Sequence, residues 1–419
     1  MEENNFKEMI LNDNYILWLS NFLERYGEID DIYFIHENRL VKEDEELINC
    51  LKYLFLELNK YVVNSKIDHK NIFSYYLKYN DYIYHIYYNS EGYSCERINI
   101  DCNVPYIEYK DFRKQFRKNM EYNFEKLKSR VVDSLNNSDL EKINYELSKI
   151  DEPTLISGVG GSSVVSEFAT KILSKKNHII TRNTEPRDFN YLDTSLYKNV
   201  LACSYSGNNY GVELSFLNDL KHYLLASKEK TEESIINLTY NCKDKEHSFI
   251  SLGATLIPCS ILLNYYFNND VERIIDSLDN YNFNFDVNCN AFEIFSGYET
   301  STASKYLEST MVESGIGIPI VHDKYSYCHG RSTLSTLTNN IAIYLDTGTQ
   351  LDKVLLKELP KYYKDIVIIK CENSILSEYK TLINCMYLTK YIAEKQEKDL
   401  SGVDYNPIVK KVYKYNGNL

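Results

Sequence analysis

Thr154-Leu155-Ile156-Ser157-Gly158-Val159-Gly160-Gly161-Ser162-Ser163 is the stretch whose reading decides the fold. Residues 154–157 suit a short buried strand, 158–163 a glycine-serine turn, and 164–173 follow with a helical pattern. The alternation continues downstream. Residues 178–181 read as a second strand and 199–203 as a third, ending at Cys203. A second polar turn, 204–211, leads into another helix. Residues 234–239 read as a fourth strand, and 254–266 lead into a helix. Short strands separated by helices predict a doubly wound parallel sheet.

The pattern then recurs. After the Asn-rich stretch 279–290, residues 291–295 read as a strand and 301–313 as a helix. Further strands are expected at 316–321, 340–345 and 365–370, and a long helix at 377–394. Two successive α/β units of similar length predict an internal duplication in order and spacing.

Upstream the chain changes character. Residues 5–26 and 43–63 are helical candidates, and 31–36 and 81–88 are tyrosine-rich and strand-like. Asn89-Ser90-Glu91-Gly92 reads as the turn of a hairpin between 82–88 and 93–100. From 111 to 149, Phe112, Phe116, Met120, Phe124, Leu127 and Val131 recur at three- and four-residue steps along one helical face. Ser138 or Asp139 is placed to cap a second helix. The expected organisation is a small α+β region at 1–110, a helical linker at 111–151 that packs on the core, and α/β domains at 152–279 and 290–419.

Composition narrows the function. The 419 residues carry 47 Lys+Arg against 60 Asp+Glu, a formal charge of −13. That balance argues against a general phosphate-backbone binder, so no nucleic-acid partner is expected. It leaves room for a small anion held by backbone amides. None of the 10 Cys forms a C-x-x-C pair and no His pair has zinc spacing, so no metal is expected. Scattered thiols fit a reducing, cytoplasmic setting. Residues 1–5 lack the basic and apolar blocks of a signal peptide. The apolar run 249–267 is interrupted by Gly253 and Pro258 and reads as a core helix, not a membrane span. The 39 Tyr are read as compositional bias.

Two turns carry the chemistry. Gly158-Val159-Gly160-Gly161-Ser162-Ser163 follows a strand and precedes a helix. Glycines there let a backbone approach an anion, and helix amides and serine hydroxyls are donors. No Lys follows, so it is no P-loop. Ser204-Tyr205-Ser206-Gly207-Asn208-Asn209 stands in the same position after a later strand. In an open parallel sheet both turns lie at carboxyl ends, where ligands bind. Each taken alone reads equally well as helix capping. Glu313 and His329 add a carboxylate and an imidazole, a workable acid–base pair. Arg187 and Glu299 follow strands and are further candidates for substrate contact, with a surface ion pair and helix-end stabilisation as their plainer readings.

Together these residues resemble the sugar isomerase (SIS) domain family in its tandem form, including the isomerase half of glucosamine-6-phosphate synthase and related phosphosugar isomerases and deglycases. Gly161-Ser162-Ser163 resembles the family's first phosphate turn, and Ser204-Tyr205-Ser206-Gly207-Asn208-Asn209 its Ser-x-Ser-Gly-Glu-Thr turn. Residues 305–313 resemble the helix ending in the catalytic Glu, and His329-Gly330 the following His-Gly-Pro. Pro407-Ile408-Val409-Lys410-Lys411-Val412 resembles the closing segment that offers a lysine, at Lys410 or Lys411. Arg331 stands where the family has Pro, and Asn208-Asn209 replaces Glu-Thr. The resemblance spans 150–419, and residues 1–110 have no counterpart in it.

The resemblance implies two SIS-type doubly wound parallel-sheet domains, flavodoxin-like three-layer α/β/α, behind the N-terminal region. It implies a sugar phosphate held by Gly161, Ser162, Ser163, Ser204, Ser206, Gly207 and Asn209. Aldose–ketose isomerisation or deglycation would use Glu313 as base and His329 for ring opening, with Lys410 or Lys411 stabilising an oxyanion. No cofactor is implied. A homodimer or larger homo-oligomer is, because the family's His often comes from a neighbouring subunit. The competing expectation is a non-catalytic sugar-phosphate sensor with an N-terminal output region.

Overall fold

Apolar runs buried along their whole length, as at 154–157, 199–203 and 341–346, pack on both faces inside a helix-covered parallel sheet. The computed structural model builds two such sheets. It describes residues 120, 122–243, 250–278, 282–336, 340–398 and 400, with the backbone of the strands at 40–41, 71–79, 82–89 and 92–98. The chain divides into two compact units, one of residues 1–119 with 404–419, the other of 120–403.

In the first unit, β1 (Leu40–Val41) pairs parallel with β2 (Asn71–Tyr79). Strands β2, β3 (Tyr82–Asn89) and β4 (Gly92–Ile98) form an antiparallel meander. The expected hairpin is β3–β4, closing at Asn89 opposite Gly92. β2 was not foreseen. The candidates at 5–26, 31–36 and 43–63 lie outside the described residues.

The second unit opens with α1 (Leu127–Asn137) and α2 (Leu140–Ser148). Met120, Phe124, Leu127 and Val131 are buried along one stripe, as the spacing predicts. Asp139 is the cap of α2, accepting from the Lys142 amide at 3.0 Å.

The first sheet joins β5 (Thr154–Ser157), β6 (Thr181–Thr184), β7 (Asn199–Cys203), β8 (Lys221–Ala226) and β9 (Ile235–Thr239), all parallel, in the order β6-β5-β7-β8-β9. Helix α3 (Gly161–Asn177) follows β5, α4 (Tyr210–Ser215) follows β7, and α5 (Gly253–Tyr266) and α6 (Val271–Ile275) close the half. The second sheet joins β10 (Ala291–Ser296), β11 (Ile318–Asp323), β12 (Ile341–Asp346) and β13 (Ile366–Lys370), again parallel, in the order β11-β10-β12-β13. Its helices are α7 (Ser301–Glu313), α8 (Gln350–Glu358) and α9 (Ile375–Lys395). The two halves share the strand order second-first-third-fourth, which is the duplication read from the spacing.

Some elements differ from expectation. The second strand of the first sheet begins at Thr181, not 178, because His178 closes α3 in the left-handed conformation (φ 57°). Strand β8 and helix α8 were not anticipated. Lys221-His222-Tyr223-Leu224-Leu225-Ala226 is a short apolar run that periodicity does not separate from a helix.

One continuous core runs through both halves. It includes Leu201 and Leu225 of the first sheet, Ile294 and Ile343 of the second, and Phe168, Leu256, Leu307 and Leu382 from helices α3, α5, α7 and α9. Helix α5 is buried on almost every side, as a helix apolar all round must be. Among the described residues no helix is long and apolar enough to cross a membrane, and the seven described cysteines are free.

Candidate functional site

In each half the strand order reverses between the first and third strands, and the loops at that point stand at the carboxyl edge of the sheet, where open parallel sheets bind ligands. In the first half those loops are the two glycine-serine turns.

The turn after β5 is built by close approach. A Cβ on Gly158 would collide with the Ser162 carbonyl, so that position admits only glycine. Gly160 caps α3 at φ 58°, ψ −130°, a conformation natural only to glycine. Ser251 occupies the space that a Cβ on Gly161 would need, and the Thr255 hydroxyl reaches the Gly161 carbonyl at 3.4 Å. The amides of Ser162 and Ser163 turn back onto the carbonyls of Val159 and Gly160, at 3.1 and 2.9 Å. These two donors, expected to face an anion, are therefore engaged within the turn. Ser163 is buried and Ser162 half-buried.

The turn after β7 is held from inside. Buried Ser204 Oγ accepts from the Gly207 amide (3.1 Å) and from Asn209 Nδ2 (3.2 Å). Asn209 Oδ1 accepts from the Val212 amide at 2.9 Å, so Asn209 also caps α4. Gly207 takes φ 72°. Ser206 is half-buried, and among the described residues its Oγ accepts from the Asn208 amide alone, at 3.4 Å. The two turns are neighbours: a Cβ on Gly211 would meet Val159 of the first turn and Pro186 from beyond β6. At the end of β6 the Thr184 hydroxyl is buried without a partner among the described residues. Arg187 is exposed in the turn Pro186–Asn190.

Helix α7 brings the second half's carboxylate to the first half's turn. Glu313, its last residue, places Oε1 3.8 Å from the point a Cβ on Gly160 would occupy. It is half-buried, and burial pushes its carboxyl above the ordinary range, partly offset by a bond from Ser309 Oγ at 3.1 Å. Sequence reading missed Ser309, although its place four residues before Glu313 on one helix face was a usable signal. It also missed Ser251 and Thr255, whose distance along the chain from Gly161 hid them.

His329 is not joined to Glu313 among the described residues. It is exposed on the loop after β11, with its ring 5.3 Å from that of Tyr325. Lys410 and Lys411 lie outside the described residues. Glu299 is half-buried in the turn after β10. That turn meets a buried pair from other elements: Lys171 donates to the Tyr298 carbonyl at 2.6 Å and pairs with Glu378, which accepts from the Thr302 amide at 3.1 Å.

In the second half, the turn after β12 is satisfied from within by the capping box of Thr349 and Asp352. Asp352 Oδ2 accepts from the amides of Thr347 (3.1 Å) and Thr349 (2.9 Å), the very loop amides that would greet an anion after β12. Lys324 lies 2.6 Å from its other oxygen. Burial opposes the charge, but the bonds from Lys324, Thr347, Tyr344 and Thr349 outweigh it and hold Asp352 well below the usual carboxylate range. An internal carboxylate thus closes this turn. Among the described residues no cluster of His, Cys, Asp or Glu is arranged to hold a metal.

Comparison with known proteins agrees with this architecture. No protein-family model matches the chain and no curated protein matches it by sequence. Solved structures do match. A glucosamine-6-phosphate deaminase from Thermotoga maritima aligns over 68% of this chain and 96% of its own, at 15% identity and a TM-score of 0.53. The C-terminal domain of glucosamine-fructose-6-phosphate aminotransferase from Francisella tularensis aligns over 67% and 97%, at 12% identity and 0.52. Tagatose-6-phosphate ketose/aldose isomerase from Escherichia coli aligns over 69% and 96%, at 12% identity and 0.50. At such identities the likeness is one of fold, two parallel α/β sheets in one chain, and it accords with the sugar isomerase domain resemblance of the two glycine-serine turns.

Proposed function

We propose that this protein binds a sugar phosphate at the two turns of its first half and interconverts its aldose and ketose forms, or cleaves an amino-sugar or fructosamine phosphate. One observation carries the reading: a carboxylate pushed up by burial, Glu313, stands beside Gly160 in the first turn. A base needs a pKa near the working pH, and burial moves a carboxyl that way. Ser163, Ser204, Ser206 and Asn209 supply hydroxyl and amide groups for the phosphate, with Gly161, Ser162 and Gly207 shaping the turns. The sugar then extends towards Glu313, which takes the proton from the carbon next to the carbonyl and returns it to its neighbour. His329 would pass a proton to the ring oxygen during opening. Because it faces solvent in its own chain, it suits delivery to the cleft of a second copy, and so a homodimer. Lys410 or Lys411 would steady the open-chain oxyanion. An enediol route of this kind draws on no redox cofactor. The three aligned proteins with named phosphosugar substrates support the ligand class.

A second reading, a sugar-phosphate sensor, draws support from the separate N-terminal unit, which such an enzyme does not need. A panel of hexose, pentose and amino-sugar phosphates, each beside its free sugar, separates the readings. Thermal stabilisation by a phosphorylated member alone supports the phosphate site. Isomer exchange or ammonia release with that member supports the enzyme, and binding without conversion supports the sensor. No stabilisation by any member sinks both.

A further inference from the structure

The loop that carries His329 is tethered to a charged group in the interior. Glu293, in the middle of β10, is fully buried, and its carboxylate is surrounded by donors. His322 Nε2 lies 2.9 Å from Oε2, the Tyr363 hydroxyl donates to Oε2 at 2.6 Å, and Asn340 Nδ2 donates to Oε1 at 2.9 Å. Burial works against its charge, but these bonds outweigh it and hold the carboxyl below its ordinary value.

Two arms lead from Glu293 to the loop. On one side, Arg331 Nε donates to His322 Nδ1 at 2.9 Å. That nitrogen is therefore the acceptor, and the ring's proton sits on Nε2, facing Glu293. Arg331 also reaches the Val321 carbonyl at 3.0 Å. On the other side, the Tyr327 hydroxyl lies 3.3 Å from that of Tyr363 and 3.2 Å from Ser335 Oγ, which donates to the Ser332 carbonyl at 2.6 Å. Rings of Phe295 and Tyr327 enclose the His322 ring, at 5.3 and 5.2 Å between centroids. The segment from Tyr327 to Ser335 is thus tied to one interior carboxylate at Tyr327, Arg331 and Ser335. An ion buried only to fill a core would be replaceable by an apolar side chain without loss. Here it ends in a guanidinium on an exposed loop, two residues from His329.

We propose that Glu293 is a positioning residue for His329, acting through His322 and Arg331 on one arm and through Tyr363, Tyr327 and Ser335 on the other. This rests on the proposed function for His329's chemical task, though the tether itself does not. The residue that departs from the family pattern, Arg331, is the outer end of the device. It does by hydrogen bonding what a rigid ring residue would do by its fixed backbone angle.

The test uses the full-length chain with Arg331→Ala, Arg331→Lys and Arg331→Pro, since Glu293→Gln risks failing to fold. Amide exchange over 328–336 reads the tether without reference to activity. Arg331→Ala should speed it roughly tenfold or more, the scale of losing a bond to a charged group, while core strand amides keep their protection. Turnover of a cyclising substrate should fall by roughly tenfold to a hundredfold with KM little changed, the cost of a misplaced group. A substrate too short to cyclise should turn over as before. Arg331→Pro should keep more turnover than Arg331→Ala, and Arg331→Lys should recover part of the protection. Unchanged exchange in Arg331→Ala overturns the tether. Faster exchange with equal losses on ring and open-chain substrates overturns the positioning role. If His329→Ala leaves turnover intact, the chemical task assigned to His329 fails, and the exchange data still judge the tether.

Discussion

Glu313 and Gly160 stand at opposite ends of two packed helices that belong to different halves of the chain, yet the Glu313 carboxylate lies 3.8 Å from where a Gly160 Cβ would be. The last residue of α7 thus meets the cap of α3. The duplicated fold places a titratable group from one half over the glycine-serine turn of the other, which neither half could do alone.

Glu313→Gln keeps the size of the side chain and removes its basicity. Turnover should fall by about a hundredfold to ten-thousandfold, the usual contribution of a positioned acid–base group. Affinity for the phosphosugar, measured by calorimetry, should stay within a few-fold. Retained turnover would remove Glu313 from the base role.

The pH profile follows from the same group. Burial raises the carboxyl of Glu313, so the acid limb of kcat/KM should lie above the ordinary carboxylate range. Ser309 donates to its Oε1 and favours the charged form. Ser309→Ala removes that donor, so the limb should move to still higher pH. Its stability sign is opposite to that of a paired carboxylate: with the folded value raised, its contribution is full below the unfolded carboxylate value and is lost as pH rises through the folded one. A limb moving downward in Ser309→Ala would contradict the assignment.

The two serines of the second turn should separate. Ser204 Oγ holds Gly207 and Asn209 in place, so Ser204→Ala strands two donors and should lower both melting temperature and ligand affinity. Among the described residues Ser206 Oγ has only a long bond, from the Asn208 amide. Ser206→Ala should leave melting nearly unchanged and weaken phosphosugar binding roughly tenfold, the scale of one bond to a charged ligand. Equal loss of stability in both variants would make the turn purely structural.

How much of this was legible beforehand depends on range. Strands β5 and β7 and helix α7 were placed to the residue, because glycine and serine turns bound apolar runs at fixed positions. Local signals also narrowed the α2 cap to Ser138 or Asp139, of which Asp139 is the cap, and gave the β3–β4 hairpin. What failed were ambiguities of period, as at β8, and a left-handed residue, His178, that delayed β6. The site divides the same way. The turn residues and Glu313 were visible as motifs, whereas Ser251, Thr255 and the Glu293 network are brought together by topology across tens of residues. Asp352 was missed for a further reason: a carboxylate near a helix start reads as a cap, which it is, and only the fold shows that it also takes the Thr347 amide and pairs with Lys324.

That pairing predicts one ligand per chain. The duplicated fold offers two pseudo-equivalent turns, but Asp352 already satisfies the Thr347 and Thr349 amides and neutralises Lys324. Calorimetry should return a stoichiometry of one sugar phosphate per chain, and two would overturn the closed second turn. The same carboxylate should matter to acid stability. Its folded value is depressed, so its contribution is full above the unfolded carboxylate value of about 3.9 and is lost as pH falls towards the folded one. Asp352→Asn leaves Lys324 buried without its counter-ion, which costs roughly 3–5 kcal/mol by analogy with other broken buried pairs. Urea melts of the two proteins should therefore differ strongly at neutral pH and converge as the solution is acidified. Parallel curves across that range would mean that Asp352 carries no charge-dependent stability.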